Sequence, residues 1–235
     1  MKKFSVIFLI VILCGLTQFV SAQKPFAGII KSKMTCEGTT DPNILSQLPE
    51  ETTEWMFGNY TKTVQEAPGY VISNIVNGDA KVMYTIFDIT GMGKFYLETT
   101  EAEILESDKM VERKIEATGE TKTIAGYPCE KIIYTIINKE TDEENQVILY
   151  VSTALNASDA INFGQFSGVK GYPLRTEVKQ DVNGTEITII SEAVEVTPSK
   201  KVKEVDFMLP ADGQKKTKEE FRKMFGAGDD DEDDE

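Results

Sequence analysis

Tyr70–Ile89 reads YVISNIVNGDAKVMYTIFDI. Two runs rich in β-branched and aromatic residues, Tyr70–Val76 and Lys81–Ile89, flank the dipeptide Asn77-Gly78. An Asn-Gly pair between two such runs is a strong short-range signal for an antiparallel hairpin, because it tolerates the positive φ that tight turns demand. The signal recurs at Asn183-Gly184, between Leu174–Asp181 and Thr185–Val196. Two such hairpins set the pairing as antiparallel. In the second, Ile187 and Ile189 fall on one parity and Val194 and Val196 on the other, so we expect a β-bulge near Ile190-Ser191 to reconcile them.

Outward from these hairpins the chain continues as short alternating segments divided by turn residues. Ile30, Met34 and Cys36 share one face of a first strand, and Lys31, Lys33 and Thr35 the other. A polar connector with Asp41-Pro42 at its head has room for one helical turn over Asn43–Leu48, and Trp55–Tyr60 resumes the strand pattern. Further strands are expected at Lys94–Glu98, Met110–Ala117, Glu130–Ile137, Gln146–Ser152 and Glu204–Leu209. Asn156–Gly164 reads as a short helix or an irregular excursion. The total is about ten strands. A C-terminal helix begins at the capping-box spacing Thr217…Glu220, with Phe221 and Met224 toward the body and Gly226 as its stop. The fold class is mainly β, with one or two short helices besides that last one. The residues themselves leave open a flat sandwich or a strongly curved sheet forming a half-open barrel.

The ends of the chain carry a different message. Met1-Lys2-Lys3, the apolar stretch Phe4–Leu16 and the small residues Val20-Ser21-Ala22 have the three zones of a secretory signal. A membrane span needs about 20 apolar residues, and Gly15, Thr17 and Gln18 interrupt this run. Cys14-Gly15 suggests a lipoprotein signal, but the bulky Leu13 precedes the cysteine. We therefore expect residues 1–22 to be a signal peptide, 23–212 one β-rich domain, 213–226 the C-terminal helix and 227–235 an acidic disordered tail, the product being periplasmic or extracellular. Loss of Lys2 and Lys3 takes the formal charge from −14 to −16, of which the seven acids Asp229–Glu235 supply −7. A body this acidic repels phosphate backbones, so nucleic acid is excluded as a partner. Stable membrane insertion is not expected.

Cysteine and histidine usage narrows the chemistry. Cys36 and Cys129 remain in the mature chain and are either one disulfide or two separate buried thiols. The chain has no histidine, which removes Cys-His and Ser-His nucleophile pairs and His-ligated metals. Gly91-Met92-Gly93-Lys94 lacks the spacing of a phosphate loop, and Asp181-Val182-Asn183-Gly184 lacks the ligands of a calcium loop. We expect no cofactor, no metal and no catalytic residue. Glu98, Glu101, Glu103 and Asp108 are the nearest approach to paired carboxylates, though in so acidic a chain a solvated face is the simpler reading.

The run Thr123-Ile124-Ala125-Gly126-Tyr127-Pro128-Cys129-Glu130-Lys131 resembles the I-x-G-Y-x-C-x-K element of small exported bacterial β proteins, and Val205-Asp206-Phe207-Met208-Leu209-Pro210 resembles their x-D-F-x-[IL]-P ending. The chain is similar, from about Ala27 to Pro210, to the domain of unknown function numbered 4412, whose architecture is like that of the periplasmic lipoprotein carriers. That resemblance implies a strongly curved antiparallel sheet with a hydrophobic concavity. It implies structural roles for Gly126 in a turn, Cys129 in a core contact or bridge, and Phe207 and Leu209 in a last strand. A bacterial origin would leave the sequons at Asn59, Asn156 and Asn183 silent.

The expected function is an exported cell-envelope binding module that holds an apolar or lipid-like ligand, its cavity lined by Ile30, Met34, Tyr84 and Ile86. The alternatives are a structural or protein-interaction domain with a filled core, partnered by another envelope protein, and a carboxylate-based hydrolase.

Overall fold

A computed structural model describes residues 25–46, 48–182 and 184–224. The segment expected as a signal peptide, the helix stop expected at Gly226 and the segment expected as an acidic tail lie outside these residues. The described strands are β1 (Ala27–Glu37), β2 (Glu51–Phe57), β3 (Tyr60–Ala67), β4 (Tyr70–Asn77), β5 (Val82–Ile89), β6 (Gly93–Thr99), β7 (Val111–Ile124), β8 (Tyr127–Asn138), β9 (Glu144–Ser152), β10 (Tyr172–Val182), β11 (Thr185–Pro198) and the two-residue β12 (Gln214–Lys215). They form a single unclosed sheet in the order β12-β6-β5-β4-β3-β2-β1-β11-β10-β9-β8-β7. All pairings are antiparallel except β12 with β6. Helices are few and short: α1 (Pro42–Leu45), α2 (Glu101–Lys109) and α3 (Lys218–Met224), with 3-10 turns at Asp159–Asn162 and Glu204–Phe207.

The sheet is curved. Three strands separate β7 from β11, yet Lys122 on β7 meets Glu192 on β11 at 2.7 Å. The bending coincides with breaks in register at Ala117/Thr121 of β7, Pro173/Arg175 of β10 and Lys31/Ser32 of β1. The last break corrects the bulge expected at Ile190-Ser191. Lys31 faces Glu195 and Ser32 faces Ala193, so Val194 is the extra residue and stands 55% exposed.

The β4–β5 hairpin is present, but its glycine has a different purpose from the one expected. The turn runs through Gly78–Lys81 and its positive-φ residue is Lys81, at +49°. Asn77 Oδ1 caps it by accepting from the Ala80 N–H at 2.9 Å. Gly78 is required by a close approach, since a Cβ there would stand 2.7 Å from the Ala160 carbonyl oxygen. The β7–β8 turn uses Ala125 and Gly126, at φ +47° and +85°, which suits a two-residue hairpin loop. Trp55–Tyr60, expected as one strand, is the end of β2, a turn at Gly58-Asn59 and the start of β3. Glu204–Leu209, expected as a strand, is a 3-10 turn and its exit.

Among the described residues three packed clusters form the core. Ile30, Met56, Ile124, Cys129, Tyr150 and Leu174 belong to the first; Tyr134, Leu149, Val151 and Val169 to the second; Ile75, Ile86, Val202 and Phe207 to the third. The C-terminal capping box forms as expected, Thr217 Oγ1 accepting from Glu220 N at 3.1 Å and Glu220 from Thr217 N at 2.7 Å. It aims Phe221 at Phe87, with ring centroids 4.4 Å apart.

Candidate functional site

The register of β1–β3 assembles an apolar platform. Ile29 lies opposite Trp55, Trp55 opposite Lys62, and Thr53 opposite Val64, and cross-strand partners share a face of the sheet. After β11 the chain doubles back over this platform as a strap. Ser199 N donates to Ala27 O at 2.9 Å, and Val202 and Phe207 then bury themselves against Ile75 and Ile86. Three contacts pin the strap: the Tyr60 and Phe207 rings at 5.8 Å, the Tyr60 hydroxyl to Glu204 Oε1 at 3.2 Å, and Lys62 Nζ to the Asp206 carbonyl at 3.5 Å. Burial, with Glu204 next in importance, raises the Tyr60 phenol above its ordinary range.

Between platform and strap runs a groove of about 430 Å³. Its apolar walls are Ile29, Trp55, Val64 and Val202; Lys62 and Lys201 stand at its rim with Ser199 and Asp206. The Asp206 carboxylate is already engaged, accepting from Lys203 N at 2.9 Å.

A second feature lies where the curved sheet brings distant strands together. Tyr172 on β10 donates a hydrogen bond to Glu54 on β2, although β1 and β11 lie between their strands. Both residues keep some exposed surface, but their polar ends sit deep among packed atoms. Burial pushes the Glu54 carboxyl up to about 7, and the Tyr172 hydrogen bond only partly offsets it. Burial and then the neighbouring Glu54 hold Tyr172 well above the ordinary tyrosine range.

The residues expected to line one cavity are divided between separate clusters. Ile30 is packed in the first cluster, Ile86 is buried in the third with Tyr84 against it, and Met34 is half-buried on β1 opposite Ser191. Cys36 and Cys129 are free thiols. Cys129 packs with Ile30 and Tyr150 in the first cluster, while Cys36 lies further along β1 opposite Ile189. Of the carboxylates Glu98, Glu101, Glu103 and Asp108, Glu101 and Asp108 line one pocket beside α2, but each of the four is engaged by its own cation, Lys215, Lys81, Lys218 and Arg113 respectively. Among the described residues no group of three or more Cys, Asp or Glu side chains is arranged to hold a metal, and no helix is long and apolar enough to cross a membrane.

Sequence reasoning missed the groove because Ile29, Trp55 and Val64 become neighbours only through register. The run Ser199-Lys200-Lys201-Val202-Lys203, basic within an acidic chain, was the one local signal for it.

The sequence matches no family model and no curated protein. Among solved structures it is similar to PNGF-II in two crystal forms, with TM-scores of 0.54 and 0.55 and identities of 15% and 14%. The match covers 85% and 86% of this chain, which spans about a third, 33%, of the PNGF-II chain. The likeness is one of fold.

Proposed function

We propose that this domain is an exported cell-envelope binding module that holds an apolar or lipid-like ligand and performs no catalysis. The observation that carries the reading is the open groove over β1–β3, about 430 Å³ in volume, whose lining includes the apolar side chains of Ile29, Trp55, Val64 and Val202. That size falls in the roughly 300–1,000 Å³ range of small-molecule sites, and a mostly apolar wall with a few polar groups at the rim is their usual make-up. The residues 1–22 support export, and the motifs Ile124–Lys131 and Val205–Pro210 support a relation to domain 4412, a class whose architecture resembles carriers of acyl chains. The seat proposed here differs from the cavity expected around Ile30, Met34, Tyr84 and Ile86.

Trp55 is the only tryptophan in the chain and lines the groove, so its emission reports directly on occupancy. Titration with saturated alkanols from eight to fourteen carbons is expected to give saturable shifts, the dissociation constant falling about fourfold per added methylene, as burial of about 0.8 kcal/mol each requires. An unchanged emission across the whole series would overturn the reading. A protein-interaction role is the second reading, favoured by Val205 and Met208, which stand 62% and 68% exposed on the strap. It predicts a silent titration together with co-purification of an envelope protein that Met208→Lys abolishes.

A further inference from the structure

The rim of the groove carries a charge pattern that the apolar walls do not explain. Among the described residues neither Lys62 nor Lys201 has an ion-pair partner, in a chain with 39 acids against 25 bases. Lys62 is held toward the strap by the Asp206 carbonyl at 3.5 Å. Lys201 belongs to the basic run that includes Lys200 and Lys203. The one acid among the lining residues, Asp206, has its carboxylate turned to the backbone N–H of Lys203 at 2.9 Å. The groove lining therefore sets two lysines against one carboxylate beside an apolar surface, a net positive patch on an otherwise acidic body.

Resting on the binding-module reading, we infer that the ligand is a single anionic amphiphile of the fatty-acid type, its carboxylate between Lys62 and Lys201 and its chain along Ile29, Trp55, Val64 and Val202. Both halves of that chemistry are needed. An uncharged chain leaves the two ammonium groups unanswered, whereas a small anion buries no apolar surface. Charge-assisted hydrogen bonds from ammonium to carboxylate are about twice as strong as neutral ones. An anionic bilayer surface presents the same charge to the whole protein, and a body at about −9 repels it. One head group entering one groove escapes that repulsion.

The test compares dodecanoate with dodecanol, equal in chain length, by Trp55 emission at pH 8. Dodecanoate is expected to bind at least tenfold more tightly, and raising KCl from 20 to 500 mM should erode only that advantage, because salt screens the exposed charges. Lys62→Gln and Lys201→Gln should each weaken dodecanoate roughly three- to tenfold, and Lys201→Gln, whose side chain holds none of the strap contacts, should leave dodecanol within twofold. Lys201 is exposed and a glutamine there stays polar while losing the charge, so the unchanged dodecanol constant of that variant certifies folding. Equal affinity for the two probes overturns the anionic head while leaving the groove in place. Failure of both probes overturns the binding-module reading itself. Sedimentation with vesicles containing anionic lipid, at a strength that the lysine substitutions reduce, overturns the single-molecule ligand in favour of a membrane surface.

Discussion

The sheet has two wings on either side of the β1–β11 seam, and they are built differently. From β2 to β6 the strands are seven or eight residues long and every pairing keeps its register. From β7 to β11 they are nine to fourteen residues long, and two of the pairings break register, as does the seam itself. The regular wing supplies a platform on which cross-strand neighbours line up, and the groove lies at its β1–β3 end. The bulged wing bends, because each extra residue kinks its strand and increases local twist. Bending lets Lys122 reach Glu192, and Tyr172, at the break in β10, reach Glu54. Regularity makes the surface; irregularity makes the contact between wings.

The comparison breaks most directly at the two cores. Leu149→Ala in the bulged wing and Ile75→Ala in the regular one remove side chains that are 0% and 1% exposed. Each is expected to cost about 2–5 kcal/mol. Urea unfolding followed by far-ultraviolet dichroism and by Trp55 emission should show one shared transition in both variants. Separate transitions for the two probes would mean that the wings fold independently.

Glu54 tests the contact between wings. Its carboxyl is raised in the folded protein from 4.5 to about 7. Folding therefore favours the protonated form: the contribution is intact below about pH 4.5, is lost as pH climbs through about 7, and is then gone. The penalty at pH 8 is about 3 kcal/mol. Glu54→Gln keeps an acceptor for Tyr172 without the charge. It should melt roughly 6–12 °C higher than the parent at pH 8 and level with it at pH 4. Carboxylates such as Glu103, held low by the backbone N–H and hydroxyl of Thr100, give the opposite slope in both proteins and cancel in the difference. A difference that does not vary with pH would remove the buried carboxyl from the account.

A smaller effect separates two glycines. Gly78→Ala places a Cβ 2.7 Å from the Ala160 carbonyl and should cost about 1–3 kcal/mol by forcing backbone to shift. Gly119, at φ +77°, has no heavy atom within 4 Å of the added Cβ, so Gly119→Ala should cost only the conformational strain, about 1 kcal/mol. Thermal melts of the pair would show whether close approach outweighs backbone conformation. The least effect belongs to a surface ion pair of the bulged wing. Lys131→Gln, which removes the 2.8 Å surface bridge to Glu120, should change stability by less than about 1 kcal/mol, and only at low salt.

The parts of this fold written in local pattern were legible. Alternation and turn chemistry gave β4, β5, β10 and β11, and the Thr217…Glu220 spacing gave α3. Strand β3 was missed because Thr61-Lys62-Thr63 and Gln65-Glu66 present polar residues to both faces, the mark of a strand stabilised by its neighbours. Helix α2 was missed although Thr100 and Glu103 form a full capping box. Its acids read as a solvated surface, and it buries only Ile104. The strap was misread as a strand because Val205, Phe207 and Leu209 alternate; the single buried member of that trio is Phe207. The candidate sites were illegible for a different reason. Ile29 meets Val202, and Glu54 meets Tyr172, only after the sheet is assembled and curved, and no window of sequence contains both partners.

The strand order also dictates a history. Within each wing strands pair with their neighbours in the chain, and such hairpins close in microseconds. Apart from the two-residue β12–β6 pair at the sheet edge, the seam is the exception, joining Gly28 to Pro198. Contacts of such separation are the slow ones, since loop closure must precede their reward. Strand β1 is synthesised before the others and is left with one open edge until β11 arrives, a period in which any other extended chain is a competitor. The two lysines on that edge, Lys31 and Lys33, discourage strangers. Opposite them in the finished sheet stand Glu195 and Glu192, the former at 3.4 Å from Lys31. The same charges that guard the unpaired strand are thus placed to recognise its proper partner when the chain is nearly complete.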